Sequence, residues 1–157
     1  MPLKTSLVRS SKMIQIKVKK LHPDAKLPTR GSEEAACWDI YALEDTLINT
    51  RVAIPVRTGL AVEIPKGFFL DARPRSGLSG KGIIVKNSPG TIDSDYRGEI
   101  LVLLQMTLHT WNGNELIKKG DRIVQVRLEK VLDTEFVEVE ELSSTKRGTG
   151  GFGSTGD

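Results

Sequence analysis

The stretch GDRIVQVRL, residues 120–128, carries the pattern from which the fold is predicted. Its apolar residues Val124, Val126 and Leu128 alternate with polar ones, and a period of two is typical of a β-strand with one buried face. Outward from this stretch, the same alternation recurs at Ile14, Ile16 and Val18, and at Val137 and Val139. The alternating segments therefore predict half-buried strands.

A second kind of strand is predicted where apolar residues run without interruption. Residues 100–104 read ILVLL, as expected of a strand covered on both faces. Shorter candidates, bounded by turn sequences such as Pro65-Lys66-Gly67, are residues 38–42, 59–64 and 68–72. At most one helical turn is expected, near residues 76–80. Because no window offers a longer amphipathic helix, the sequence predicts an all-β barrel or sandwich.

Length and composition narrow the function classes. The chain has 157 residues, enough for one domain with its own core, and no apolar run is long enough to span a bilayer. The charge of +3 is mild and the basic residues are spread along the chain, so we expect no membrane and no specific nucleic-acid partner. Cys37 is the single cysteine, which indicates a reducing compartment: the cytoplasm, or the nucleus or an organelle in a eukaryote.

Two segments carry polar groups for which both a structural role and a role in a ligand site are open. Asp39 lies inside the apolar strand ACWDIYA, where a carboxylate must find partners, so it is either a satisfied structural acid or a site acid. The segment ARPRSGLSGKG, residues 72–82, combines arginines, a serine and glycines. Backbone amides of a glycine turn beside guanidinium groups can bind phosphate. A basic surface turn is the alternative.

Three further segments contain candidate site residues. KNSPGTIDSDYRGEI, residues 86–100, reads as a hairpin with the turn Asn87-Ser88-Pro89-Gly90, which can hold a flat ligand and read its edge; two solvated turn aspartates are the alternative. Gln125 occupies a polar position of its strand, for which a strand edge is the ordinary explanation. The closing RGTGGFGSTGD, residues 147–157, has five glycines and is too flexible to fold alone.

Together and in order, these five segments resemble the five motifs of the trimeric dUTPases, the deoxyuridine triphosphate nucleotidohydrolases, from about Ala35 to Gly156. The resemblance implies a jelly-roll-like β-barrel over residues 13–142 and a flexible glycine-rich C-terminal arm over residues 143–157. It also implies a homotrimer with shared active sites. Residues 1–12 form an N-terminal segment to which we assign no structure.

The resemblance also implies the catalytic residues and the cofactor. Asp93 corresponds to the acid that orients and deprotonates the attacking water. Asp39 corresponds to the first-motif acid, which supports the network of Mg²⁺ and water without being a direct metal ligand. The family usually has glycine ahead of this acid, where this chain has Ala36, Cys37 and Trp38. The implied reaction converts dUTP to dUMP and pyrophosphate.

Substrate contacts follow from the same resemblance. Asn87 corresponds to the residue that holds the uracil edge, and the ring of Tyr96 to the one that crowds out a ribose 2′-hydroxyl. In the arm, Phe152 would stack on uracil and Arg147 would meet the γ-phosphate. The remaining expected phosphate-binding residues are Arg75, Ser76, Gly77 and Gln125, and, from the arm, Gly153, Ser154 and Thr155.

Two other functions are compatible with this barrel. A dCTP deaminase, a relative that shares it, has a glutamate about where Leu103 stands, and deamination needs such a proton shuttle. Leucine at this position favours hydrolysis. The other alternative is a regulatory binding protein that uses dUTP as a switch.

Overall fold

A computed structural model of the protein describes residues 13–107 and 113–151. Its elements in chain order are β1 (Lys17–Lys20), β2 (Trp38–Tyr41), β3 (Thr46–Asn49), β4 (Ile54–Arg57), β5 (Leu60–Glu63), β6 (Phe68–Arg73), α1 (Ser76–Ser79), β7 (Ile83–Val85), β8 (Gly90–Ile92), β9 (Leu101–Met106), β10 (Asn114–Ile117) and β11 (Arg122–Lys130). No helix within the described ranges has the length and apolar character needed to cross a membrane. The positions of Phe152, Gly153, Ser154 and Thr155 lie outside the described residues.

The strands of residues 13–107 and 113–151 form four antiparallel sheets. The largest has the strand order β2-β11-β6-β8, and a second has the order β4-β9-β7. The pairs β1-β5 and β3-β10 complete the arrangement. The strand predicted from GDRIVQVRL is β11, the longest of them, and it pairs with β2 on one side and β6 on the other. The all-β prediction is confirmed.

One apolar core lies between the sheets. Alternate residues of β9 and β11 point into it, as the period-two pattern predicts: Val102 and Leu104, with Val124 and Val126, are all buried. Burying each such side chain contributes about 1.5–3 kcal/mol relative to leaving it in water. The largest side chains with almost no exposed surface are Ile40, Ile48, Leu60, Leu104, Ile117 and Ile123.

The strands predicted at residues 38–42, 59–64 and 68–72 are found within one residue at each end, as β2, β5 and β6. The single helical turn is α1. At residues 100–104 the predicted strand is present as β9. The prediction that both of its faces are buried is wrong within a single chain. Leu101 is 48% exposed while Val102 is buried, because the core covers only one face of β9.

The strand predicted around Val137 and Val139 is wrong. Residues 131–139 form no strand, and Phe136, Val137 and Val139 are all exposed. An alternating pattern marks a segment that can pair, but pairing needs a neighbouring strand with free backbone groups. No described strand of the same chain pairs with this segment.

The predicted hairpin around Asn87 is also not a regular one. The strands that flank the turn, β7 and β8, do not pair with each other: β7 pairs with β9 and β8 pairs with β6. The turn therefore carries the chain from one sheet to the other. It is closed by the Ser88 N–H, which donates to the Val85 carbonyl at 3.1 Å, and includes a cis Ser88–Pro89 bond.

Candidate active site

One cavity of about 220 Å³ opens where the chain passes between the two larger sheets. Its polar rim comes from Asn87, Asp93, Tyr96 and Glu99, and its apolar wall includes Ala72, Val85 and Val124. Polar groups converging on an apolar wall are typical of a small-molecule site. Three of the residues predicted from the third motif, Asn87, Asp93 and Tyr96, are thus brought together.

Asp93 follows the last residue of β8 and is exposed. Its backbone carbonyl accepts a hydrogen bond from the Tyr96 N–H at 3.2 Å, which closes the turn between the two residues. The hydrogen bonds and ion pairs found among residues 13–107 and 113–151 do not involve the Asp93 carboxylate. A carboxylate in this setting can accept hydrogen bonds from a water molecule at the cavity mouth.

Gly90 allows the turn of Asn87 to approach β6. A Cβ atom at Gly90 would lie 3.4 Å from the Ala72 Cβ and 3.6 Å from Asn87 Nδ2. Any side chain longer than alanine would extend into the cavity wall. Gly90 therefore leaves room at the cavity rim for the exposed Asn87 amide, which has one acceptor and two donors.

A second polar cluster is centred on Asp39 in β2. Its side chain is 10% exposed and is bonded to two guanidinium groups: Arg75 Nε donates to Oδ1 at 2.7 Å and Arg122 Nη1 donates to Oδ2 at 3.2 Å. Arg75 Nη1 also donates to the Arg122 carbonyl at 3.2 Å. Two cations around one carboxylate leave a net positive charge, which suits an anionic ligand.

The backbone of Asp39 is equally fixed. Its N–H donates to the Thr29 carbonyl at 2.7 Å, and the Thr29 N–H donates back at 3.2 Å. On the other side of β2, Asp39 lies opposite Gln125 of β11. The residues 36–38 that depart from the family pattern do not disturb the backbone here, since β2 begins regularly at Trp38.

Gln125 supports the turn that begins at Pro74. Its Nε2 donates to the Pro74 carbonyl at 2.8 Å, and the next residue, Arg75, is the N-cap of α1. Ser76 and Gly77 follow, both exposed. A Cβ atom at Gly77 would meet nothing within 4 Å. The backbone beside this turn is therefore open to a ligand.

The cavity and the Asp39 cluster lie on opposite faces of the largest sheet. Ala72 and Val124 line the cavity, whereas the Asp39 cluster involves Gln125, the neighbour of Val124 in β11. Side chains of adjacent strand residues point to opposite faces. One chain therefore does not bring Asp93 and Arg75 into the same site.

Arg147 is held by its own neighbours. Its Nε donates to the Gly150 carbonyl at 2.8 Å, and the Gly150 N–H donates to the Arg147 carbonyl at 3.1 Å. Its side chain is exposed, and it is not part of the cavity lining. Within the described part of one chain, the arm does not reach either polar cluster.

Comparison with known proteins identifies the family. A family model described as dUTPase matches residues 23–156. The chain belongs to the dUTPase family. Two curated relatives are the deoxyuridine 5′-triphosphate nucleotidohydrolases of Nautilia profundicola and Helicobacter hepaticus. The first is 49% identical, covering 91% of this chain and 99% of the relative. The second is 48% identical, covering 92% and 90%.

Solved dUTPase structures have the same fold. A mutant dUTPase of Staphylococcus bacteriophage 80alpha, solved with dUpNHpp, superposes with a TM-score of 0.79 at 26% identity, covering 91% of this chain and 99% of that one. The phage 80alpha dUTPase with dUpNHpp gives a TM-score of 0.78 at 27% identity, covering 91% of this chain and 99% of that one, and it is one of the phage dUTPases that control transfer of virulence genes. The jelly-roll-like dUTPase fold implied by the sequence is confirmed.

Sequence reasoning missed several polar residues of this dUTPase. Arg122, which is bonded to Asp39, lies three residues before Gln125 in the fourth segment. Its place in that segment could have marked it as a candidate site residue. Glu99 lines the cavity and is bound by Arg57 from a distant strand, and no local pattern indicates that pairing.

A buried acid next to the Asp39 cluster was also missed. Asp71 of β6 is buried and accepts a hydrogen bond from Arg73 Nε at 2.6 Å. This hydrogen bond is the main cause that raises the pKa of the Arg73 guanidinium above its ordinary value. Arg127 approaches the same carboxylate at 3.5 Å and pairs with Glu129. These two acids and two arginines form a charge-balanced network on the sheet beside the Asp39 cluster.

Proposed function

We propose that the protein hydrolyses dUTP to dUMP and pyrophosphate, which keeps uracil out of DNA and supplies dUMP for thymidylate synthesis. The observation that carries the proposal is the shared cavity of Asn87, Asp93 and Tyr96, in a chain whose family model and curated relatives are dUTPases. On composition, we expect this activity in the cytoplasm.

The base and sugar are recognised at the cavity rim. Asn87, with backbone groups of its turn, bonds the uracil edge. Cytosine would present a donor where uracil presents an acceptor and would leave a buried polar group unpaired, which sites discriminate strongly. The ring of Tyr96, at the same rim, crowds out a ribose 2′-hydroxyl, so discrimination against UTP is by steric exclusion.

The triphosphate binds at the positive cluster. Arg75, Ser76 and Gly77 donate to it from the start of α1, and Gln125 donates from β11. Arg75 is already oriented by its 2.7 Å bond to Asp39, so little conformational entropy is lost when phosphate binds. In this arrangement Asp39 orients the Arg75 guanidinium toward the phosphate without contacting the phosphate itself.

Magnesium fits the donor chemistry of this cluster. Among the described residues, no group of three His, Cys, Asp or Glu side chains forms a metal site, and Mg²⁺ is commonly bound by substrate phosphates, waters and few carboxylates. Each Asp39 oxygen accepts one guanidinium bond and keeps a lone pair for a metal-bound water. When bound, Mg²⁺ would neutralise phosphate charge.

Asp93 acts on the nucleophile. Its carboxylate accepts a hydrogen bond from a water molecule and orients that water in line with the α-phosphorus. As the new P–O bond forms, the proton passes to Asp93 and the bond from the α-phosphorus to the bridging oxygen breaks, so pyrophosphate leaves. Positioning and electrostatic stabilisation supply most of the rate enhancement.

We further propose a homotrimer with shared active sites. Three observations support it. The cavity and the Asp39 cluster of one chain lie on opposite faces of a sheet, Leu101 of β9 is exposed, and residues 131–139, which form no strand, carry exposed apolar side chains. A closed ring of three copies can bring Asp93 of one chain to Arg75 of the next. The C-terminal arm then closes over the substrate, with Phe152 on uracil and Arg147 at the γ-phosphate.

A nucleotide-dependent regulatory role is the second candidate. It is favoured by the fold shared with the phage 80alpha dUTPase, at 27% identity, which is described as controlling transfer of virulence genes by a G protein-like mechanism. A pulldown from a cell extract with and without dUTP tests it. A partner protein released by dUTP supports the role, and capture that is indifferent to dUTP contradicts it.

The main proposal is tested by measuring pyrophosphate release from dUTP, UTP, dTTP and dCTP, each with and without Mg²⁺. We expect rapid release from dUTP with Mg²⁺ and little from the other three. Absence of pyrophosphate from dUTP would refute the proposal. Ammonia released from dCTP would instead indicate a deaminase, which the apolar Leu103 of β9 argues against.

A further inference from the structure

We infer that Gly98 and Glu99 are positioning residues that set the sugar specificity of this site by fixing the ring of Tyr96. The inference rests on the proposed function, because it concerns the discrimination between dUTP and UTP. Tyr96 and Glu99 both line the cavity, and Gly98 separates Glu99 from Arg97. None of the sequence motifs assigned a role to Gly98 or Glu99.

Gly98 provides the space in which the Tyr96 ring lies. A Cβ atom at Gly98 would be 2.3 Å from Tyr96 Oη, 2.6 Å from Cζ and 2.9 Å from Cε2. These separations are far below van der Waals contact. The backbone of Gly98 is not in the left-handed region that requires glycine. Glycine is therefore required at position 98 by the space that the Tyr96 ring occupies, and not by the backbone conformation.

Glu99 holds the same hydroxyl end of the ring. The Tyr96 hydroxyl donates to the Glu99 carbonyl at 3.0 Å. The Glu99 carboxylate in turn accepts from the Gly59 N–H at 2.8 Å and from Arg57 Nη2 at 3.2 Å. Because Glu99 is only 18% exposed, these charge-assisted bonds are partly protected from water and fix the backbone to which the tyrosine is bonded.

The turn that receives Glu99 is itself rigid. Thr58 Oγ1 donates to the Ile100 carbonyl at 2.7 Å, and the Ile100 N–H donates to the Leu60 carbonyl at 2.8 Å. Gly59 has a positive φ of 67°, and a Cβ there would lie 2.9 Å from the Ala25 Cβ. Glu99 and Ile100 are thus bonded to a buried turn that contacts the core.

This arrangement makes the Tyr96 ring a fixed wall. Exclusion of a 2′-hydroxyl by contact works only if the wall cannot move aside at a lower free-energy cost than the clash itself. Tyr96 is 45% exposed, so its solvent side leaves room for the ring to swing outward. The contact with Gly98 and the hydroxyl bond to Glu99 are what oppose that movement.

The first test replaces Gly98 with alanine. Because the atoms met by the new Cβ belong to the far end of a side chain, the ring moves and the fold remains. We expect the ratio of kcat/KM for dUTP to that for UTP to fall about tenfold, the size typical of a lost steric contact. Gly31→Ala is the matched control, since a Cβ at Gly31 meets nothing within 4 Å.

The second test replaces Glu99 with glutamine, which keeps an acceptor for the Gly59 N–H but loses the charge paired with Arg57. We expect the ratio to fall again, by a smaller factor. Glu63→Gln is the matched control, because Glu63 forms an exposed ion pair with Lys17 at 2.7 Å outside the cavity. A loss of stability alone would lower kcat/KM for dUTP and for UTP together and leave the ratio of the two unchanged.

The outcomes separate this inference from the proposed function. If the wild-type protein releases no pyrophosphate from dUTP, the proposed function fails. If the wild-type protein prefers dUTP and the Gly98→Ala ratio falls by more than about threefold relative to Gly31→Ala, the inference is supported. A smaller change overturns it while the proposed function stands. If Gly98→Ala does not fold, the Glu99→Gln variant decides instead: a fall in its dUTP/UTP ratio of more than about threefold relative to Glu63→Gln supports the inference, and a smaller fall overturns it.

Discussion

Replacing Arg122 with glutamine tests whether the orientation of Asp39 matters for catalysis. Arg122 donates to Asp39 Oδ2 at 3.2 Å, and its carbonyl accepts from Arg75 Nη1 at the same distance. The substitution removes one of the two guanidinium bonds to the carboxylate. Because Arg75 still holds Oδ1 at 2.7 Å, Asp39 remains in place but can rotate about its side-chain bonds.

The magnitude follows from burial. A hydrogen bond to a charged group contributes about 1.5–3 kcal/mol, but the Arg122 side chain is 49% exposed, so solvent screening reduces the loss to about 1 kcal/mol. In a protein of this size that lowers Tm by about 2–4 °C. The looser carboxylate weakens the contact to metal-bound water, so we expect kcat to fall about tenfold and the Mg²⁺ concentration for half-maximal rate to rise.

The assay is pyrophosphate release from dUTP over a Mg²⁺ titration, with thermal unfolding measured on the same samples. Arg51→Gln is the control, because Arg51 is an exposed arginine between β3 and β4, away from Asp39. The expected result is a changed Mg²⁺ dependence in Arg122→Gln only. A normal kcat and an unchanged Mg²⁺ dependence in a folded Arg122→Gln would refute the reasoning.

Two further predictions concern the nucleophile and the arm. Asp93→Asn keeps the shape of the side chain but is a far weaker base, so turnover should fall at least about 10²-fold while a nonhydrolysable dUTP analogue still binds, measured by calorimetry. Normal turnover would remove Asp93 from the mechanism. Deletion after Lys146 removes Arg147 and Phe152 and should abolish efficient turnover while light scattering still shows a trimer. An active truncated protein, or one that dissociates, would contradict the role given to the arm.

The strands were predictable because their signal is local. The alternation in GDRIVQVRL reports the burial of one face, which a strand produces by its own geometry. The apolar run at residues 100–104 located β9 but not its exposed face, which includes Leu101. The alternation misled at Val137 and Val139. Alternation shows that a segment can pair, but the partner is a property of the whole assembly, and no described strand of one chain supplies it.

The sequence indicated candidate site residues but not their contacts. The motifs pointed to Asp39, Asp93 and Gln125 through the family resemblance. The pairing of Asp39 with Arg75 joins residues 36 positions apart, and that of Glu99 with Arg57 joins residues 42 apart. Such pairs depend on strand register across the sheets, which the sequence of a single chain does not reveal.

The central claim is that Asp93 and the phosphate-binding arginine act in one site although they come from different copies of the chain. It is tested most directly by co-refolding Asp93→Asn with Arg75→Gln and measuring dUTP hydrolysis. Each variant alone should be nearly inactive. With sites shared around a ring, random mixing restores intact sites, and we expect about one quarter of the wild-type rate. A mixture no more active than its two components would contradict the claim.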